Sequence, residues 1–135
     1  MNADEFPTST QLDTIKGVAA LVALCHNAAR DGGWWTDLNT GESLIGKRNV
    51  PEMLCLVHSE VSEAMEGYRK NLMDTHLPQR HMFEVELADA IIRIADLAGA
   101  FGFDLGATIV EKVAYNRKRA DHQIDNRRKI DGKKF

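Results

Sequence analysis

The chain has 135 residues, of which 44% are hydrophobic and 27% are charged, and its formal net charge is −3. This length favours a single domain over residues 1–135, and the composition is ordinary for a globular protein. The weak negative charge gives no general reason to expect nucleic-acid binding, and no apolar run approaches the roughly 18 residues of a membrane span. The N-terminus shows no signal-peptide pattern, so we expect a cytoplasmic protein.

Four helices are predicted along the chain, and almost no segment alternates like a strand, so the predicted fold class is all-α. Ser9 or Thr10 can cap the first helix, Pro51 fits the first position of the second, and Asp104 can cap the fourth. The helices are predicted to cover about residues 10–30, 51–70, 79–100 and 105–120. Residues 34–49 are predicted to form a loop, and residues 1–9 and 121–135 are expected to be loose or extended.

Apolar residues at helical spacing predict which helix faces are buried. In the second helix this stripe consists of Leu54, Val57, Val61, Ala64, Met65 and Tyr68, and in the third of Leu87, Ile91, Ile94, Ala95 and Ala98. Cys25 and Cys55 lie among such residues and show no metal or redox spacing, so both are expected to be buried free thiols.

Two pairs of carboxylates interrupt these apolar helices, Glu60 with Glu63 and Glu86 with Asp89. Residues three apart share one helix face, and an antiparallel arrangement of the second and third helices would let the pairs face each other. Four such carboxylates repel unless protons or cations neutralise them, and Arg93 is the basic exception among their neighbours. Mg²⁺ would suit oxygen ligands of this kind. A single acidic pair usually lies on a solvent-exposed helix face, so spacing alone does not decide between a metal site and such a face.

The chain resembles the MazG-like, all-α nucleoside triphosphate pyrophosphohydrolases. The family pattern EExxE, a spacer and ExxD is matched by "SEVSE" at 59–63, a spacer of 22 residues and "ELAD" at 86–89. The stretch "EKVAYNRKRADHQIDNRRKIDGKKF" resembles the family's C-terminal segment, and "GWWTD" and "EGYRKN" resemble its small phage- and mobile-element-type members. The resemblance covers about residues 10–135 and implies a four-helix bundle that assembles as a homodimer or homotetramer.

The resemblance also implies the residues of the site. Mg²⁺, with Mn²⁺ as a substitute, would be bound by Glu60, Glu63, Glu86 and Asp89. Phosphate or sugar groups would be bound by Lys112, Asn116 and Arg119. For these last three the alternative is a solvated basic helix end, which the helix dipole favours.

The implied reaction converts a (d)NTP and water to a (d)NMP and pyrophosphate in nucleotide-pool control, with Glu60 and Glu63 as catalytic residues. Ser59 stands where the family pattern has its first Glu, which in some members helps to activate the attacking water. Glu60 or Glu63 could replace it, Glu66 lies one turn on, or metal ions alone could lower the pKa of the water. Because of Ser59, a non-catalytic helical assembly protein stays an alternative. A nucleic-acid-binding module is disfavoured because the basic cluster lies at one end.

Trp34 and Trp35 are the only tryptophans, and they follow two glycines in the loop that leads into the second helix. Each ring could plug the end of the bundle or stack on the nucleobase. We expect one ring to stack and the other to be mainly structural, with His26 and Asn27 offering hydrogen bonds to the base edge.

The apolar faces of the predicted helices are broader than one small bundle needs, as in "AALVALC" and "AIIRIADLAGAFGF". We therefore expect assembly into a homo-oligomer. The other expected partner is the (d)NTP substrate, with no nucleic acid and no membrane.

Overall fold

The computed structural model describes residues 7–135, and all regular structure in that range is helical. The elements are α1 (Ser9–Asp31), α2 (Val50–Lys70), α3 (Met82–Phe101), α4 (Leu105–Lys118), a 3-10 turn (Ala120–His122) and α5 (Ile124–Arg128). The predicted all-α class is confirmed. No helix in this part of the chain is long and apolar enough to cross a membrane. The expectation of a loose N-terminus falls largely on residues 1–6, which lie outside the described residues.

The described residues form two compact units. One contains the residues up to Ala20 together with Asp104–Phe135, and the other is Leu21–Phe103. Both acidic pairs and both tryptophans belong to the second unit. The single domain predicted from the chain length stays a prediction.

Side-chain caps fix where three of the helices begin. Thr8, and not Ser9 or Thr10, caps α1: its Oγ1 accepts from the N–H of Gln11 at 3.3 Å, while Gln11 Oε1 accepts from the N–H of Thr8 at 2.7 Å. This reciprocal pair is a capping box. Asn49 and Asp104 cap α2 and α4 by accepting from the backbone N–H three residues on, as predicted for Asp104.

The start of α3 at Met82 is later than predicted, because the preceding residues form a tight loop. The buried carboxylate of Asp74 accepts from the backbone N–H groups of His76 at 2.9 Å and Leu77 at 2.6 Å. The N–H of Asp74 in turn donates to the carbonyl of Arg80 at 2.9 Å. These bonds hold the chain out of a helical path until it reaches α3.

Helices α2 and α3 lie antiparallel, with Gly67 near the end of α2 against Met82 at the start of α3. A Cβ at Gly67 would lie only 2.9 Å from Met82 Cγ and 3.0 Å from the backbone N of Phe83, so the helices approach each other at a glycine. The buried residues of the two helices are Glu60, Ala64, Gly67, Glu86, Ala90, Ala95 and Ala98. Small residues and two acids therefore occupy their inner positions.

Most of the predicted apolar stripes are exposed, which corrects the expectation that they are buried. The exposed members are Leu54, Val61, Met65, Tyr68, Leu87, Ile91 and Ile94. Periodicity identifies an apolar face but not its partner, and here small residues fill the inner positions instead. Cys25 is buried as predicted, whereas Cys55 is exposed, and both thiols are free.

The segment after α4 is folded and not loose or extended as expected. Arg127 donates from Nε and Nη2 to the carbonyls of Lys133 and Lys134 at 3.2 and 3.0 Å. Lys134 Nζ donates back to the carbonyl of Arg127 at 2.8 Å. Long basic side chains can bond the free carbonyls at a helix end, so a charged composition did not prevent this segment from folding.

Candidate metal centre and adjoining cavity

Three of the four predicted carboxylate ligands converge between α2 and α3. One oxygen from each of Glu60, Glu63 and Glu86 lies within 4.8 Å of the other two. Glu60 and Glu86 are buried, whereas Glu63 is exposed. Residues 60 and 63 share one face of α2, and the antiparallel neighbour places residue 86 opposite them.

The electrostatics of this cluster are unfavourable without a counter-ion. Burial raises the pKa of Glu86 to about 7, and a hydrogen bond with Glu60 and the negative charges of Glu63, Glu60 and Asp89 act in the same direction. A hydrogen bond between two carboxyl groups requires a proton. The cluster therefore retains a proton up to about neutral pH.

Asp89, the fourth predicted ligand, is not among the three converging carboxylates and lines a cavity beside Glu60. Burial and the charge of Glu60 raise the pKa of Asp89, and the charge of Arg93 opposes this shift. Arg93 donates from Nε to Glu60 Oε1 at 2.5 Å. The basic neighbour noted in the sequence thus neutralises part of the cluster.

The donor set fits a hard divalent cation. All three groups are carboxylates, and two oxygens bound to one Mg²⁺ at about 2.1 Å lie about 3 Å apart, so small side-chain rotations would close the observed spread. Mg²⁺ also keeps several waters, so it does not require a full shell of protein ligands. The residues present therefore suit Mg²⁺ or Mn²⁺.

A cavity of about 460 Å³ adjoins the cluster. The residues that line it include two acids, two arginines and a tryptophan: Glu60, Asp89, Arg48, Arg93 and Trp34. The Trp34 side chain is 66% exposed, so its ring is available for contact. An open aromatic ring beside two cations fits a planar ligand that carries an anionic group.

Trp35 has the opposite environment. It is only 4% exposed, and its Nε1 donates to Asp96 Oδ1 at 2.8 Å. His26 Nδ1 lies 2.8 Å from the same oxygen, and the His26 and Trp35 rings pack edge to face at 5.8 Å. This network ties the loop to α1 and α3. The predicted base-binding residue Asn27 is exposed and is not among the residues that line the cavity.

Two residues of this region were not anticipated from the sequence, Arg48 and Asp96. Arg48 donates to the carbonyl of Trp34 at 3.0 Å, and its guanidinium lies 5.4 Å from the centre of the Trp35 ring. Nothing in the loop composition marks Arg48 for this position. Asp96 did have a signal, since charged residues at positions 89, 93 and 96 recur at the period of one helix face.

Ser59, which stands in place of the family's first Glu, and Glu66, a candidate for water activation, both have partners away from the cluster. Ser59 Oγ donates to the carbonyl of Leu56 at 2.7 Å, within its own helix. Hydrogen bonds from Lys70 and Arg69 lower the pKa of Glu66, which pairs with them on the surface of α2. Of the acids predicted to activate water, Glu60 and Glu63 lie at the cluster.

The predicted phosphate-binding residues belong to the other compact unit. Lys112 Nζ lies 4.8 Å from the centre of the Tyr115 ring, and Asn116 Oδ1 is buried with no hydrogen-bond partner within residues 7–135. Arg119 follows the end of α4 and donates to both oxygens of Asp121, at 2.9 and 2.8 Å. Lys112 and Asn116 thus lie one turn apart on α4, whereas Arg119 is held by an acid.

Comparison of the chain with protein-family models, with curated proteins and with solved structures found no match. The family resemblance drawn from the sequence therefore stays a prediction.

Proposed function

We propose that the protein is a divalent-cation-dependent nucleoside triphosphate pyrophosphohydrolase of the MazG-like type, which converts a (d)NTP and water to a (d)NMP and pyrophosphate in nucleotide-pool control. The observation that carries this proposal is the meeting of Glu60, Glu63 and Glu86 between two helices. Buried like charges are costly unless protons or cations neutralise them. Arg93 and one proton offset only part of this charge.

Each acid has a proposed role that follows from its contacts. Glu60, Glu63 and Glu86 would hold Mg²⁺ or Mn²⁺, with Asp89 beside them at the cavity. When bound, the cation neutralises phosphate charge and makes water at the site a better nucleophile. Glu63 is exposed and forms no ion pair within residues 7–135, so it is best placed to accept the proton of water attacking the α-phosphorus.

The release of pyrophosphate from a panel of dNTPs and NTPs tests this proposal. We expect equimolar pyrophosphate and nucleoside monophosphate with Mg²⁺, and no turnover with a chelator. The absence of turnover with every nucleotide and with either cation would contradict the proposal. The non-catalytic helical assembly protein would then be favoured.

Trp34 is the proposed stacking residue for the base, because its ring is exposed at the cavity whereas that of Trp35 is buried. Stacking of a base on an aromatic ring is worth roughly 1–3 kcal/mol, so Trp34→Ala should raise KM about tenfold with a smaller change in kcat. Trp35→Ala should mainly lower the melting temperature, because it removes a buried ring and its bond to Asp96. An unchanged KM in Trp34→Ala would place the base elsewhere.

We also propose that the chain assembles into a homodimer or homotetramer through the exposed apolar residues of α2 and α3. Val61, Met65 and Tyr68 are 52%, 61% and 72% exposed, which is unusual for adjacent turns of one helix. A monomer in sedimentation at micromolar concentration would contradict this. Lys112, Asn116 and Arg119 keep their proposed role towards phosphate or sugar, and Arg119 is paired with Asp121 in the structure.

A further inference from the structure

The cavity beside the metal centre contains a cation with unused hydrogen-bond donors. The Arg93 side chain is 42% exposed, and its Nε donates to Glu60 Oε1. Neither Nη group of Arg93 donates a hydrogen bond to any of residues 7–135. The guanidinium is therefore held at one edge and available at the other.

Arg48, the second cation that lines this cavity, uses one of its two Nη groups to contact the loop. It donates to the carbonyl of Trp34 and lies against the ring of Trp35, so it holds the loop in place. Arg93 instead is anchored by a carboxylate that is only 9% exposed, which restricts its orientation without using its Nη donors. A guanidinium fork of this kind matches two oxygens of one phosphate group.

We propose that Arg93 binds the phosphate that stays on the nucleoside, with Glu60 as the residue that positions it. This phosphate must lie between the base, which is assigned to Trp34, and the carboxylate cluster, and Arg93 contacts that cluster from the same cavity. The inference rests on the proposed function, since it takes the ligand to be a nucleotide. Arg93 would then stabilise the negative charge that develops on the attacked phosphate.

Calorimetric binding of the four dNMPs and of the matched deoxynucleosides, with Mg²⁺ present, tests this assignment without turnover. Arg93→Met should weaken binding of the preferred dNMP by about tenfold or more, because it removes a charge-assisted hydrogen bond, and should leave nucleoside binding within about twofold. Arg93→Lys keeps the charge beside Glu60 but loses the fork, so we expect an intermediate loss. Arg69→Met is the matched control, because Arg69 Nε pairs with Glu66 at 3.1 Å outside the cavity.

Equal losses for the dNMP and its nucleoside in Arg93→Met would overturn the assignment, because they would indicate a structural role. If Arg93→Met does not fold, binding of the dNMP by Arg93→Lys at the wild-type level would overturn it. The assignment would also be overturned if the wild-type protein bound a dNMP no more tightly than the matched deoxynucleoside. Failure of the proposed function would appear separately, as the absence of pyrophosphate release from every triphosphate.

Discussion

Charged side chains are used in opposite ways between α2 and α3 and in the segment after α4. Between the helices, Glu60, Glu63 and Glu86 lie together, and the pKa of Glu86 rises to about 7. After α4, Asp121 pairs with Arg119 and Lys133, and the pKa of Asp121 is lowered, first by its hydrogen bond from Arg119. Like charges meet in the first region and opposite charges in the second.

We propose that the first region binds a cation, whereas the charges of the second region stabilise the fold. A segment whose ions are paired gains nothing further from a cation. A cluster of acids that burial keeps close together has a free-energy cost that a bound cation would remove. Clusters of like charge in natural proteins occur mainly at functional sites, which is why we propose the site between α2 and α3.

The largest effect is expected for Glu63→Gln, which removes one acid from the cluster between α2 and α3. Loss of one carboxylate should lower Mg²⁺-dependent turnover by about 100-fold or more while the helical content stays the same, since repulsion in the cluster decreases. Pyrophosphate release and circular dichroism measure the two effects. Glu52→Gln, an exposed acid on the same helix, is the control and should behave as wild type. Turnover at the wild-type level in Glu63→Gln would show that Glu63 is not part of the site.

The second largest effect is on how the free energy of unfolding depends on pH in the absence of metal. Because the pKa of Glu86 is raised from 4.5 to about 7, the folded state binds more protons than the unfolded state between these values. The free energy of unfolding should therefore fall as the pH rises through this window, by roughly 1–3 kcal/mol. Urea unfolding of wild type and Glu86→Gln measures it, and the variant should lack this decrease. If the free energy of unfolding changed with pH in the same way in both proteins, the raised pKa of Glu86 would be refuted.

The smallest effect is expected in the paired region. Asp121→Asn should lower the free energy of unfolding only slightly, because its ion pairs are partly exposed and screened by salt. Urea unfolding at low and high salt measures this, and the difference from wild type should shrink at high salt. If Asp121→Asn lowered the free energy of unfolding as much as the loss of a buried ion pair does, the charges after α4 would not be weakly coupled surface pairs.

The sequence predicts the helices well, because periodicity and caps are local properties. Asp104 caps α4 as expected, and the acidic spacing on α2 and α3 brings Glu60, Glu63 and Glu86 together. The start of α3 was predicted too early, because the hydrogen bonds of Asp74 hold the residues before Met82 in a tight loop that apolar periodicity does not reveal.

The buried faces were predicted less well, for a physical reason. Hydrophobic periodicity cannot tell a face that packs within the chain from one that stays outside, so Val61 and Ile91 were assigned inward although they are exposed. The sequence also did not show which of Trp34 and Trp35 is buried. They differ because one indole reaches Asp96, which is 61 residues away in the chain.

The most direct test of the cation site is calorimetric titration of Mn²⁺ into the metal-free protein, in buffers of different ionisation enthalpy. Glu86 must lose its proton to act as a ligand, so at about pH 6 the binding of Mn²⁺ should release roughly one proton, and the affinity should increase as the pH rises towards about 8. Glu86→Gln should bind more weakly and release no proton. If wild type does not bind Mn²⁺, or binds it with the same affinity and proton balance as Glu86→Gln, the acids between α2 and α3 are not a metal centre.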